Sequence, residues 1–257
     1  MGPFSTTGIR TGIIRQGDDL VRALLEGVMQ SAAGSFRDGD VLVIAENAVA
    51  TAEGRIIDLA AVRPGEDAVR LGREFGIDPC LVEVVTTESD SVVGGIPGFL
   101  LCMKGGTLLP NAGVDASNAP PGCVVLLPED PDRSALRVRR EIERSTGARV
   151  GVIIADSRTH AMRSGCSGVA IGCSGIPSVI DVRGRTDLFG RRLEVTRQAI
   201  ADNIASAAEI VMGEADECTP AAVLRGLGMP IGDGEGIESI AADACLFMGI
   251  LRQREKG

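Results

Sequence analysis

Three carboxylate-bearing segments carry residue types suited to chemistry: Asp115 in "NAGVDASN", Asp156 with Ser157 in "GVIIADSR", and Glu214 in "VMGEADE". Each places an acid at the end of an apolar run. Carboxylates and hydroxyls are the oxygen ligands that Mg²⁺ and Mn²⁺ prefer, and such ions normally arrive with phosphate, so together the segments point to a two-metal nucleotide site. Taken singly, each also reads as a turn residue or a helix cap, because Asn, Asp, Ser and Gly bond their own backbone and tolerate turn dihedrals. Glycine-rich turns favour a phosphate partner, since backbone N–H groups approach an anion where no Cβ intervenes. Neither G-x-x-x-x-G-K-[ST] nor a strand-positioned G-x-G-x-x-G occurs, which sets aside a P-loop and an ordinary dinucleotide turn.

Strands and helices must hold these groups. "DDLVRALLEGVMQSA" predicts a helix capped by Asp18 or Asp19, and "PGEDAVRLGREFG" a second, with Pro64 and acids at its start and Gly76 at its end. Val41 to Ala45 predicts a buried strand that runs into a small, polar loop ending at Gly54. "LVEVVTTES" reads as a strand, and "GFLLCMKGGTLLPNAG" as a hairpin about Lys104-Gly105-Gly106, so the Asp115 turn follows a strand. Strand, turn, helix and strand then follow from Cys123, with Asp132 as a cap candidate and Asp156 where the run Val150 to Ala155 ends. The Gly-rich stretch from Cys166 to Val195 suggests two short strands, Thr196 to Met212 a long helix stopped by Gly213, "AAVLRG" a strand, and "GIESIAADACLFMGILRQREKG" a helix fraying into charge. The mixture predicts an α/β, mixed α+β architecture without a repeated βαβ unit or an internal boundary.

Composition narrows the function classes. Net charge is -9, and aromatic residues make up 2% of the 257 with no Trp or Tyr, which argues against nucleic acid as a partner. Seven cysteines lack any C-x-x-C pair; most of them read as small buried hydrophobes in a reduced cytoplasm, and Cys166 and Cys173 as packing rather than chemistry. His160 is the one histidine, so thiol–imidazole zinc sites and a serine triad through Ser117 find no support. No leader pattern or membrane span is visible, and the Arg139, Arg140 and Arg144 group alternates with Glu141 and Glu143 as a solvated helix face would.

With these motifs in order, the chain resembles the coenzyme F420-0:L-glutamate ligases, which add glutamate to a deazaflavin coenzyme. The resemblance runs through "GIRTGIIRQGDDL", "DGDVLVIAENAVATAEGR", "NAGVDASN", "VGVIIADS" and "GRTDLFGRRLEVTRQAIADNIASAAEIVMGEADECTPAAVLRG". It implies one ligase-like domain over residues 1–257, a family-specific fold of mixed sheets with surrounding helices, and an intertwined homodimer. It also implies GTP as co-substrate, a divalent metal (Mn²⁺ or Mg²⁺), L-glutamate, and a deazaflavin precursor activated as an acyl phosphate. By the same resemblance Asp115 and Asp156 are catalytic metal ligands, joined by Ser157, which stands where the family has Thr, and by Glu214. Gly8, Ile9, Arg10, Thr11, Glu46, Asn47, Thr51 and Asn118 fall at nucleotide positions, as do Met212, Gly213, Ala215, Asp216 and Glu217, and Arg163 at a substrate position.

The departures lie on the nucleotide side. The family's "SKAEGR" reads "ATAEGR", so Thr51 replaces a lysine and removes a point charge that phosphate would meet. Glu46-Asn47 replaces Ser-Thr, and "DSRTH" replaces D-T-x-G-R, with Thr159 and His160 for Gly and Arg. A diverged paralogue therefore stands beside the glutamate ligase: another metal- and nucleotide-dependent amide ligase or phosphotransfer enzyme, or a non-catalytic binding dimer.

Overall fold

The computed structural model describes residues 2–234 and 236–254. In chain order the elements begin β1 (Ser5–Ile9), α1 (Leu20–Gln30), β2 (Val41–Ala45), α2 (Glu46–Ala52), β3 (Ile56–Asp58), α3 (Glu66–Phe75), α4 (Pro79–Glu88), β4 (Ser91–Ile96), β5 (Phe99–Lys104), β6 (Thr107–Pro110) and β7 (Cys123–Val125). They continue α5 (Pro131–Thr146), β8 (Gly151–Thr159), β9 (Cys166–Ser174), β10 (Val179–Asp181), β11 (Arg197–Ala199), α6 (Ile200–Met212), β12 (Ala221–Arg225) and α7 (Leu246–Arg254). Two compact units result, Met1–Arg55 with Pro128–Ile237, and Ile56–Leu127 with Glu238–Gly257.

The first unit is built on a five-stranded sheet in the order β1-β12-β2-β8-β9. Strand β2 is apolar at every position because both faces of the sheet are covered. Leu42 and Ile44 join Leu24 and Val28 of α1 and Val138 and Ile142 of α5 on one face. Val41 and Val43 join Ile204, Ala205 and Ala208 of α6 on the other. Asp19 caps α1 by accepting from Arg22 N at 3.0 Å. Helix α5 has Pro131 in its first turn and left-handed Gly147 at its end, and its cap is Asp130, not Asp132. Asp132 instead turns inward and accepts from Cys173 N at 2.9 Å, and burial raises its carboxyl above the usual range against that bond.

Several other expectations change in this unit. The segment after β2 is a helix, α2, because Ala48, Val49 and Ala52, at helical spacing, pack against one core cluster. Strand β8 runs on to Thr159 by pairing with β9, which places Asp156 inside the strand rather than at its end, and β9 is itself nine residues long. Residues 197–199 pair with β10, so α6 starts only at Ile200. Arg139 is buried at 9% exposure, its guanidinium reaching Glu143 at 3.2 Å and Ser174 at 3.5 Å, so it leaves the solvated face assigned to it.

The second unit holds the antiparallel sheet β4-β5-β6 and the pair β3-β7, packed against α3 and α4. The expected hairpin is present: Gly105 and Gly106, with φ of 54° and 75°, join β5 to β6 through a two-residue turn that only residues free to take positive φ form easily. "LVEVVTTES" is helical, however. Asp78 accepts from Cys80 N at 2.7 Å, Pro79 opens the first turn, and Val82 and Val85 enter the core one turn apart, so packing outweighs the β preference of the Val and Thr residues. Helix α7 ends at Arg254, and the rest of the charged end expected there, residues 255–257, lies outside the described residues.

Candidate active site at the carboxyl end of the five-stranded sheet

Strand directions decide where the first unit can do chemistry. β1 and β2 are each antiparallel to β12, and β2 is parallel to β8, so β1, β2 and β8 all point the same way. Ile9, Ala221, Ile44 and Ile154 form one cross-strand row. Just beyond that row the three strands deliver Arg10 and Thr11, Glu46 and Asn47, and Asp156 and Ser157. The chain entering β12 brings residues 213–220 to the same end. Thr11 N donates to Cys218 O at 3.1 Å, and Ala45 N donates to Pro220 O at 2.8 Å. Crevices beyond the carboxyl ends of parallel strands are where open α/β sheets bind ligands.

Gly8 shows how tightly these segments are drawn together. A Cβ there would lie 2.9 Å from both Val211 O and Thr219 Cγ2, so only glycine lets β1 lie flush against the end of α6. The loop after α6 is organised by Glu217, whose Oε2 accepts from Ala215 N at 2.8 Å. Gly213, Glu214, Ala215, Asp216 and Glu217 are exposed there. Met212 and Ile9 are buried, so their side chains face the core and only their backbones border this end. Thr51 lies on α2, half-buried; Arg163 is exposed on the hairpin joining β8 to β9, with His160 Nε2 at 2.7 Å from Ser167 Oγ.

The pleat divides the expected acids. Successive strand side chains point to opposite faces. Ser157 faces α6, where its Oγ donates to Glu214 Oε1 at 3.2 Å. Asp156 lies on the other face, with Arg158 Nε at 2.7 Å from its Oδ2. Asp115 and Asn118 belong to the second unit. There Asn111, Ala112 and Gly113 form a left-handed turn with φ of 48°, 54° and 74°, which buries Ala112 and Val114 and presents Asp115. Asp115 exchanges two backbone hydrogen bonds with Val125, at 2.9 and 2.7 Å, and its Oδ1 accepts from Ser117 N at 2.9 Å.

One acid at the first unit's site was not visible in the sequence. Glu209 of α6 bonds Glu214 and Ser157, and its carboxyl is pushed up to about 7, first by burial and then by the charge of Glu214. No local motif marks it, because it belongs to the regular surface of a helix. Two carboxylates and a hydroxyl facing one another are hard oxygen donors, and their mutual repulsion is what a divalent cation relieves, so this donor set fits one. Among the described residues, no three His, Cys, Asp or Glu side chains form a metal cluster.

The family described as F420-0:Gamma-glutamyl ligase matches residues 8–226. The chain belongs to this family. Among its relatives, the coenzyme F420:L-glutamate ligase of Methanopyrus kandleri is 47% identical over 215 residues, 83% of this chain and 83% of the relative. The enzyme of the same name from Methanocaldococcus jannaschii is 45% identical over 206 residues, covering 80% and 82%. That from Archaeoglobus fulgidus is 42% identical over 224 residues, covering 87% and 86%. The matched span of this gamma-glutamyl ligase family takes in every element that reaches the carboxyl end of the sheet. Among the described residues no helix is long and apolar enough to cross a membrane.

Proposed function

We propose that the protein is a GTP- and divalent-metal-dependent ligase that adds L-glutamate to the deazaflavin coenzyme F420 precursor. The observation that carries this reading is the convergence of Gly8 to Thr11, Glu46 and Asn47, Asp156 and Ser157, and residues 213–219 at one end of the sheet in a chain of this family. A terminal carboxylate oxygen of the acceptor attacks the γ-phosphorus of GTP, the bond to the β-phosphate oxygen breaks, and GDP leaves. The glutamate nitrogen then attacks the acyl carbon and loses a proton as phosphate departs, which leaves an amide. No side-chain nucleophile is needed.

Ser157 and Glu214, with Glu209 beside them, would hold Mn²⁺ or Mg²⁺ on the α6 face of the first unit's sheet; Asp156 carries the same proposed role on the other face, and Asp115 on its own turn in the second unit. A cation so held supplies charge neutralisation for the transferring phosphoryl group. Ser157 orients Glu214 by its hydrogen bond, Arg158 balances Asp156, and Gly8 keeps the nucleotide-lining loop against β1. Asn118 and Thr51 are proposed nucleotide contacts and Arg163 a substrate contact. The proposed setting is the cytoplasm.

The protein is also proposed to act as a homodimer. The segment between β10 and β11 exposes Leu188 at 99%, Phe189 at 94% and Val195 at 85%, apolar side chains that a second copy of this chain would cover.

Mass spectrometry on the protein with glutamate-free deazaflavin precursor, glutamate, GTP and Mn²⁺ tests the reaction. A glutamyl-sized mass gain that disappears without GTP, and in Asp156→Asn, is expected. No gain beside an active relative sinks the assignment. It would favour the second reading, a ligase with another acceptor or nucleotide, for which the acid Glu46 in the first turn of α2 is the motivating feature.

A further inference from the structure

Helix α2 has seven residues and no side-chain cap at its start. A helix so short is not stable by itself, so its direction must be set by what grips it. Its buried residues, Ala48, Val49 and Ala50, have short side chains that fix depth better than tilt. At its far end the grip is polar. Glu53 accepts from Ser134 Oγ at 2.5 Å and from Arg137 Nη2 at 2.6 Å, two donors one turn apart on α5. The Glu53 side chain is 18% exposed, so this charge-assisted pair is sheltered, whereas Arg137 is 57% exposed along the wall of a cavity of about 870 Å³. That cavity is lined by none of the residues expected to bind nucleotide or metal. The clasp therefore has a role distinct from ligand contact.

We propose that Glu53 is a positioning residue for catalysis: by clasping Ser134 and Arg137 it sets the angle at which α2 presents Glu46, Asn47 and Thr51 beyond the end of β2. The geometry is that of a lever. Glu46 and Asn47 open the helix directly from Ala45, which is fixed by the Pro220 hydrogen bond, and Glu53 pins the opposite end. Releasing the pin leaves the strand in place and lets the helix swing, so Thr51, two residues before Glu53, moves most. The inference rests on α2 contacting nucleotide, as in the function proposed above.

The test uses the full chain and two readouts. Hydrogen–deuterium exchange over residues 46–52 follows the helix itself, and the KM for GTP against kcat follows its consequence. In Glu53→Gln, which keeps the Ser134 contact but loses the charge, and in Arg137→Met, exchange over 46–52 rises while that of α1 and α6 is unchanged. The KM for GTP rises about ten-fold, with kcat at saturating GTP within about two-fold, as expected for a ligand-contacting element out of register. Ser134→Ala gives a smaller shift in the same direction. Unchanged exchange over 46–52 in both charge variants overturns the clasp, and so does a lowered Tm with an unchanged KM, which marks a purely structural pair. If the wild-type protein does not use GTP, the functional reading fails, and the exchange result still decides the clasp.

Discussion

Gly168 of β9 and Ala205 of α6 meet backbone to backbone: a Cβ built on Gly168 would lie 2.6 Å from the Ala205 carbonyl oxygen. Ser206 Oγ seals the approach by donating to Gly168 O at 2.8 Å. Gly168 is also the partner of Ser157 across the β8–β9 ladder, so it sets how far α6, and with it Glu209, stands from Ser157. Gly168→Ala should cost about 2 kcal/mol, within the range for overpacking, because backbone rather than a flexible side chain must yield. Denaturant unfolding checks the stability, and weaker Mn²⁺ binding at the site proposed beside Ser157 checks the displacement. A fully stable variant would show that α6 can move outward freely.

Asp40 is 1% exposed and is matched by the fork of Arg225, Nε to Oδ1 at 2.8 Å and Nη2 to Oδ2 at 2.7 Å. Removing only the cation leaves a buried carboxylate with its charge uncompensated. Arg225→Met should therefore lower stability by about 3 kcal/mol, and the double change with Asp40→Asn should recover part of it. Urea midpoints of the two variants measure this, and equal losses would argue that the fork adds little.

The Glu209 carboxyl, raised from 4.5 to about 7, gives stability a defined pH dependence. An acid with a raised folded pKa favours its protonated form in the fold, so its contribution is complete below about 4.5 and is lost as pH rises through about 7. Without added metal, Tm should fall across that window, and Glu209→Gln should flatten the fall. A slope that is the same in both proteins assigns it to other groups.

Thiol reactivity should separate by burial. Cys173 is buried and its thiol is pushed up to about 12, by burial first and then by Asp132, whereas Cys166 and Cys218 are exposed. Brief alkylation of the native protein, read by peptide mass spectrometry, should label Cys166 and Cys218 and spare Cys173 and the buried Cys102. Early labelling of Cys173 would mean that the region between α6 and β9 opens readily. The expectation of packing thus holds for Cys173 and fails for Cys166, which is exposed at the start of β9, paired with Thr159.

The apolar segment between β10 and β11 gives a prediction about mass. Leu188→Asp with Phe189→Asp should shift sedimentation from dimer to monomer without lowering helix content, since neither side chain is part of the unit's core. An unchanged sedimentation coefficient would place any self-association elsewhere.

Local signals were legible where one residue type determines backbone geometry. Asp19 and Gly76 mark the ends they were expected to mark, and Gly105-Gly106 makes the expected turn. What escaped depends on distant partners. The polar strand β1, "STTGI", exists because β12 lies beside it, and β8 outruns its apolar residues because β9 continues to pair with it. Helix α4 hid behind its Val and Thr residues, and Arg139 behind the acids on its own helix. At the candidate site, motif order pointed to Asp156, Ser157 and Glu214, whose roles are proposed, while Glu209 and the clasp of Glu53 appear only once α6 and α5 are packed against the sheet.

The fork of Asp40 and Arg225 sits where β2 begins and β12 ends, opposite the end at which Asp156 and Glu46 emerge. Cohesion and the proposed reactivity thereby lie at opposite poles of the same strands. Loss of the fork at the first pole should reduce how many molecules are folded while each folded molecule works at full speed; removal of an acid that emerges at the second, as in Asp156→Asn, should slow every molecule while leaving their number intact. Turnover normalised to folded protein therefore sorts inherited or engineered changes in this chain into two kinds, according to the pole they strike.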